Sequence, residues 1–177
     1  MDVIRLHDLQ FRTYIPAETI QQRIRELAAA MNRDLKHEKP LFIGILNGVF
    51  MFAAELMQEL TIESEITFVQ LSSYNGTAST GKIKTVIGLS VELKGRNVII
   101  LEDIIDSGKT VCEFLEQLKS HQPETIRIAT LLFKPDALEY DLEINYLGFK
   151  VPNHFLVGFG LDYDGLGRNL RSIYVKC

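Results

Sequence analysis

Cysteine is nearly absent. Cys112 stands in an apolar stretch and Cys177 at the last position, and two thiols so placed make neither a disulfide framework nor a metal-ligand spacing. That scarcity is what a reducing compartment leaves. An excess of positive charge is also missing: 19 Lys and Arg against 23 Asp and Glu give a formal net charge of −4, which would not draw the chain to a nucleic-acid backbone. No apolar run reaches the roughly 20 residues of a bilayer-spanning helix, and the first eight residues lack the basic-then-apolar order of a secretory signal. The expectation is a cytoplasmic protein with neither nucleic acid nor membrane as partner. No repeat, low-complexity tract or linker divides the 177 residues, and at roughly 100 to 200 residues per domain this is one domain over 1–177. With 46% hydrophobic and 24% charged residues, disorder, collagen-like repeats and a coiled-coil rod are excluded.

What is there alternates in type along the chain, the pattern of an α/β domain. After Pro16, the helical spacing of Ile20, Ile24, Leu27 and Met31 predicts a helix ending near Leu35. Leu41 to Leu46 reads as a buried strand, Asn47-Gly48 as a turn, and Val49 to Leu60 as a second helix. Phe50, Met51 and Phe52 exceed what one core-facing stripe needs, so this helix is the candidate subunit contact. A strand over Ile66 to Leu71, a polar loop over Ser72 to Gly81 and a strand over Lys82 to Leu89 follow. Asn97 to Leu101 reads as a central parallel strand, with a helix from Gly108 to about His121 and a strand from Thr125 to Phe133. Beyond Asn145, shorter strands and turns are expected around Pro152, Gly158, Gly160, Gly165 and Gly167.

The chemistry concentrates after the central strand. In a parallel α/β sheet ligands sit beyond the carboxyl ends of the strands, and here that end carries Glu102, Asp103 and Asp106 just before a helix start. Asp106-Ser107-Gly108-Lys109-Thr110 can turn successive backbone N–H groups and two hydroxyls toward an anion at the positive end of a helix dipole. The plainer alternative is that Asp106 or Ser107 only caps the helix. Two adjacent carboxylates leaving a buried strand favour a site, because they are costly unless they meet solvent, a metal or hydroxyl groups. A Walker A loop would need Gly at position 103, which is Asp.

This string, Glu102 to Thr110, closely resembles the phosphoribosyl-pyrophosphate (PRPP) motif of type I phosphoribosyltransferases. From about Phe42 to Leu170 the chain resembles the hypoxanthine-guanine branch of that family, with several separate segments matching in order. The resemblance implies an α/β fold with a central, mainly parallel sheet flanked by helices, a small hood region and a flexible loop. It implies a purine-salvage enzyme that joins a 6-oxopurine to PRPP, uses magnesium, and is a homodimer or homotetramer.

Residue by residue, the resemblance implies that Ser107, Gly108, Lys109 and Thr110 hold the 5′-phosphate, and that Glu102 and Asp103 serve the ribose hydroxyls and their magnesium. Asp106 matches the general base for the purine ring nitrogen. Leu46-Asn47-Gly48 matches a pyrophosphate turn in which the family often has a non-proline cis peptide between the first two residues, and Asn47 stands where Lys is common. Ser73 and Tyr74 match the flexible loop that excludes water over the pyrophosphate. Lys134 matches the lysine for the 6-oxygen, Phe155 the ring stacked on the purine, Leu156 a backbone contact to its edge, and Asp162 a ligand for a second magnesium. Arg168 matches a pyrophosphate arginine, though Gly165-Leu166-Gly167 before it departs from the bulkier residues often found there. Two rivals stand beside this reading. A transferase for another base is disfavoured by Lys134, and an RNA-binding PRPP sensor by the acidic charge and by Asp106.

Overall fold

A computed structural model of the chain describes residues 3–73, 83–89 and 91–177. The strands β3 (Leu41–Leu46), β4 (Glu65–Ser73), β6 (Asn97–Ile105), β7 (Thr125–Phe133) and β8 (Tyr146–Lys150) are mutually parallel, and β5 (Ile83–Ile87) runs antiparallel to β4 at one edge. The order across this six-stranded sheet is β5-β4-β3-β6-β7-β8. The expected α/β class and mainly parallel sheet are what the chain adopts.

Both faces of the central strands are covered, which is why they read as unbroken apolar runs. Phe42, Ile99, Leu101 and Leu131 face a core shared with α1 (Ala17–Asp34) and α2 (Phe50–Glu59). Their neighbours Leu41, Ile43, Val98 and Ile100 face Phe114 and Leu118 of α3 (Lys109–Lys119). At the far edge, α1 caps β8: Arg23 donates to Gly148 O at 2.9 Å and Leu147 O at 2.7 Å. An edge closed in this way is poorly suited to pairing with another chain.

A second, antiparallel sheet of order β1-β2-β10-β9 forms a hood, built from β1 (Val3–Leu6), β2 (Leu9–Ile15), β9 (Leu156–Val157) and β10 (Ile173–Lys176). Its inward residues Ile15, Leu156, Ile173 and Val175 join the same core as α1 and α2. Gly158, Gly160, Gly165 and Gly167 in the β9–β10 connection all have positive φ, in keeping with the turns expected there. Among the described residues no helix is long and apolar enough to cross a membrane.

Three expectations need correction. The central strand does not stop at Leu101: Ile104 and Ile105 pair with Leu132 and Phe133, so Glu102 and Asp103 lie inside β6. Ser72 and Ser73, expected in a loop, close β4 opposite Lys84 and Ile83, while Tyr74 and the rest of that expected loop lie outside the described residues. In α2 the apolar surplus is smaller than it reads, because Phe52 is fully buried in the core and Met51 packs partly against it, leaving Phe50 outward at 41% exposure.

This asymmetry in α2 has a measurable consequence. Phe52→Ala is expected to cost about 3–5 kcal/mol through lost burial and a residual cavity, whereas Phe50→Ala should stay within about 0.5 kcal/mol in a monomer. Urea melts of the two variants check the difference, and a large loss from Phe50→Ala would place that ring against another surface.

Candidate active site

The β6–α3 connection builds an anion cradle. Gly108 precedes the helix with φ of +83°, and Lys109 and Thr110 form its first turn, where N–H groups have no acceptor one turn back. Ser107 Oγ accepts the Lys109 N–H at 3.3 Å. Gly108 is the N-cap residue and has no side chain to cap with, so Ser107 meets the Lys109 N–H from one residue earlier, while the Asp106 carboxylate bonds Lys134 instead. Leu46 at the end of β3, Asn47, Gly48, Glu102, Asp103, Asp106 and residues 107–110 line one cavity. The Leu46–Asn47 peptide is cis.

Asp103 and the β3–α2 turn are in immediate contact. A Cβ at Gly48 would lie 1.5 Å from Asp103 Oδ2, so a side chain there is excluded. Asp103 Oδ1 accepts the Ile104 N–H at 2.8 Å, and Glu102 Oε1 the Asp103 N–H at 3.2 Å. Both acids are buried. Burial, then the neighbouring Asp103 charge, hold the Glu102 carboxyl well above the usual range. Burial also raises Asp103, against opposing hydrogen bonds and the Arg168 guanidinium. Two buried carboxyls with depressed acidity and an open cavity beside them fit a divalent cation. Among the described residues no group of three or more carboxyl, imidazole or thiol side chains gathers as a metal site.

On the other side of the cradle, Lys134 follows directly after β7 and is buried. Its Nζ donates to Asp106 Oδ2 at 2.9 Å and to Asn153 Oδ1 at 3.4 Å. An ammonium has three donors, so one remains for a ligand. Asp106 itself is open, with 53% of its side chain exposed. Asn153 leads into Phe155, a residue 45% exposed rather than core. Leu156 is buried in β9 opposite Val175.

Arg168, in the β9–β10 connection, donates to Gly160 O at 2.7 Å and pairs with Asp162 Oδ1 at 2.7 Å. Asp162 also accepts the Gly165 N–H at 2.7 Å, and it does not join Glu102 and Asp103 in one ligand group. Two further residues belong to the site. Ile104 lines the cavity between the acid pair and Asp106, and Asn153 orients Lys134. The string Glu102 to Thr110 already contained Ile104 as its apolar filler; no spacing in the sequence links Asn153 to Lys134.

Residues 15–164 match the family model described as the phosphoribosyl transferase domain. The hypoxanthine-guanine phosphoribosyltransferase of Bacillus subtilis is 38% identical over 170 residues, covering 96% of this chain and 94% of that protein. The bifunctional protein TilS/HprT of Listeria monocytogenes is 37% identical over 168 residues, which are 94% of this chain but only 26% of that protein. In structure, a hypoxanthine-guanine phosphoribosyltransferase from Bacillus anthracis superposes with a TM-score of 0.89 at 34% identity, covering 96% of this chain and all of that one.

The buried acids set a pH dependence. Unfolded, Glu102 ionises in the ordinary carboxylate range near pH 4.3; folded, it holds its proton to a higher pH. Between those two values the folded state binds more protons, so this contribution to stability is complete below the ordinary range and is lost as pH rises toward the folded value. In chelator, Glu102→Gln is expected to raise the melting temperature relative to wild type, by a margin that widens from pH 5 to pH 8. A constant margin would mean that Glu102 is ionised throughout.

Proposed function

The chain belongs to the phosphoribosyl transferase domain family, in its hypoxanthine-guanine branch, and from that premise we propose that it transfers the 5-phosphoribosyl group of PRPP to a 6-oxopurine. The bases are hypoxanthine and guanine, the products IMP or GMP and pyrophosphate, and the role purine salvage in the cytoplasm. The observation that carries this reading is the Lys134–Asp106 pair, which sets a proton acceptor and a hydrogen-bond donor side by side next to an anion cradle.

In this reading the N–H groups and hydroxyls of Ser107 to Thr110 hold the 5′-phosphate, with the helix dipole adding attraction. Glu102 and Asp103 take the ribose hydroxyls and magnesium, which when bound neutralises charge on the departing pyrophosphate. Leu46, Asn47 and Gly48 offer backbone groups to the pyrophosphate, and Arg168 offers its guanidinium. The free N–H of Lys134 reaches the 6-oxygen, Phe155 stacks on the ring, and Leu156 contributes backbone to its edge. Asp106 accepts the ring N–H proton as the new C1′–N bond forms and the C1′–O bond to pyrophosphate breaks. Ser73, the last residue of β4, and Tyr74 belong to this proposal as residues that exclude water over the pyrophosphate, and Asp162 as a second magnesium ligand that would first have to release Arg168. Self-association as a homodimer or homotetramer is part of the same proposal, with the outward Phe50 of α2 as its contact.

A PRPP-dependent assay with hypoxanthine, guanine, xanthine and adenine tests it. Asp106→Asn is expected to keep PRPP affinity and lower turnover by roughly 10² to 10⁴. In a dry pocket an ammonium facing the 6-amino group of adenine opposes two donors, and sites built on one buried hydrogen bond can reject the analogue lacking it by about 10⁴. Lys134→Ala should therefore depress kcat/KM for the 6-oxopurines by orders of magnitude and narrow their lead over adenine. An unchanged preference would remove Lys134 from the base pocket, and no turnover of any purine would remove the function.

A further inference from the structure

The hood carries a cluster of rings whose arrangement the transfer reaction does not by itself explain. Phe155 keeps one side open, while behind it lie Phe11 of β2, fully buried, with centroids 6.0 Å apart, and Tyr163, edge-on at 5.6 Å and 88°. Phe11 and Tyr163 are themselves 6.3 Å apart, so the three rings support one another. Tyr163 is in turn anchored from the opposite end of the chain. Its hydroxyl donates to Asp8 Oδ1 at 2.8 Å, in the turn between β1 and β2. His7, in the left-handed region at φ of 50°, meets the Tyr163 ring edge-on at 5.4 Å, and its Nε2 lies 3.4 Å from the Asp164 carbonyl. The Tyr163 hydroxyl holds the Asp8 carboxyl below the usual carboxylate range.

We propose that Tyr163, latched by Asp8 of the β1–β2 turn, is a positioning residue that holds the Phe155 ring at the orientation in which it receives a flat base. This rests on the role proposed for Phe155 above. An exposed ring without backing must be ordered when its ligand arrives, and that ordering weakens binding; a ring already fixed by its neighbours avoids the loss. The effect should be confined to the base. Arg168 has its own partners in Gly160 and Asp162, so the pyrophosphate end of the same connection does not depend on the Tyr163 hydroxyl.

Tyr163→Phe removes the latch and keeps the ring, while Asp8→Ala removes its acceptor and Asp8→Asn retains an acceptor oxygen. Tyr163→Phe and Asp8→Ala should each raise KM for hypoxanthine by about two- to tenfold, the size of losing the fixation of one side chain. KM for PRPP and kcat should stay near wild type, Asp8→Asn should stay close to wild type, and the double variant should be no worse than either single one. The chain has no tryptophan, so Phe155→Trp introduces a sole indole at the ring itself, and adding Tyr163→Phe should make its fluorescence more strongly quenched by acrylamide. Unchanged quenching overturns the latch. So do additive losses in the double variant, or KM values for base and PRPP that rise together as a loosened fold would make them. A wild-type enzyme inactive on every 6-oxopurine would instead remove the reading beneath the proposal, and the quenching comparison would still decide whether Asp8 and Tyr163 hold residue 155.

Discussion

The site depends on a place where three backbone segments meet with no room for a side chain. The β3–α2 turn lies between β6 and the hood: a Cβ on Gly48 would strike the Asp103 carboxylate at 1.5 Å, and a Cβ on Gly160 would strike the Gly48 carbonyl at 1.8 Å. This double contact sets the distance between the turn, the acid pair and the connection that carries Asp162 and Arg168. Interiors packed to crystal density do not absorb an extra methyl cheaply. Substituting either glycine would push the acid, the turn or the hood, and each belongs to the wall of the same site.

Charge is arranged around that contact in two different ways. Lys134 and Asp106 are a paired cation and anion, stable as they stand, with a donor left over for a ligand. Glu102 and Asp103 are two like groups under one roof, and burial makes their second charge costly. An acid pair of this kind is a poor contributor to stability and a good receptor for a cation that would replace a proton. Glu102 and Asp103 lie inside β6 and Asp106 just after its end, with Ile104 and Ile105 between them in the chain, and all line the same cavity.

Much of this could be read in the sequence because its signals are local. The buried parallel strands appear as apolar runs, and Glu102 to Thr110 displays acids, turn and helix start in contiguous order. The N-terminal hairpin was equally legible and is absent from the expected elements: Leu9, Phe11, Thr13 and Ile15 alternate with Gln10, Arg12 and Tyr14, a strand period of two. What could not be read is whatever rests on contacts between distant segments. The Lys134–Asn153 bond and the Arg168–Asp162 pair are set by tertiary packing, which leaves no periodicity. The sequence left open whether Asp106 or Ser107 meets the start of α3 for a related reason, since both are good caps by type and only the distant Lys134 engages Asp106.

Lys134 shows how the two halves of the molecule are joined. It follows directly after β7, yet its ammonium is shared between Asp106 on the sheet side and Asn153 on the way into the hood. A lysine ammonium is a compact donor that needs no planar alignment, so it can serve both while its remaining N–H points elsewhere. Lys134 is buried while Asp106 is half exposed, so the pair joins a buried cation to an anion that still meets solvent. The buried ammonium thus ties the sheet to the segment that leads into the hood, and its third donor remains for a ligand.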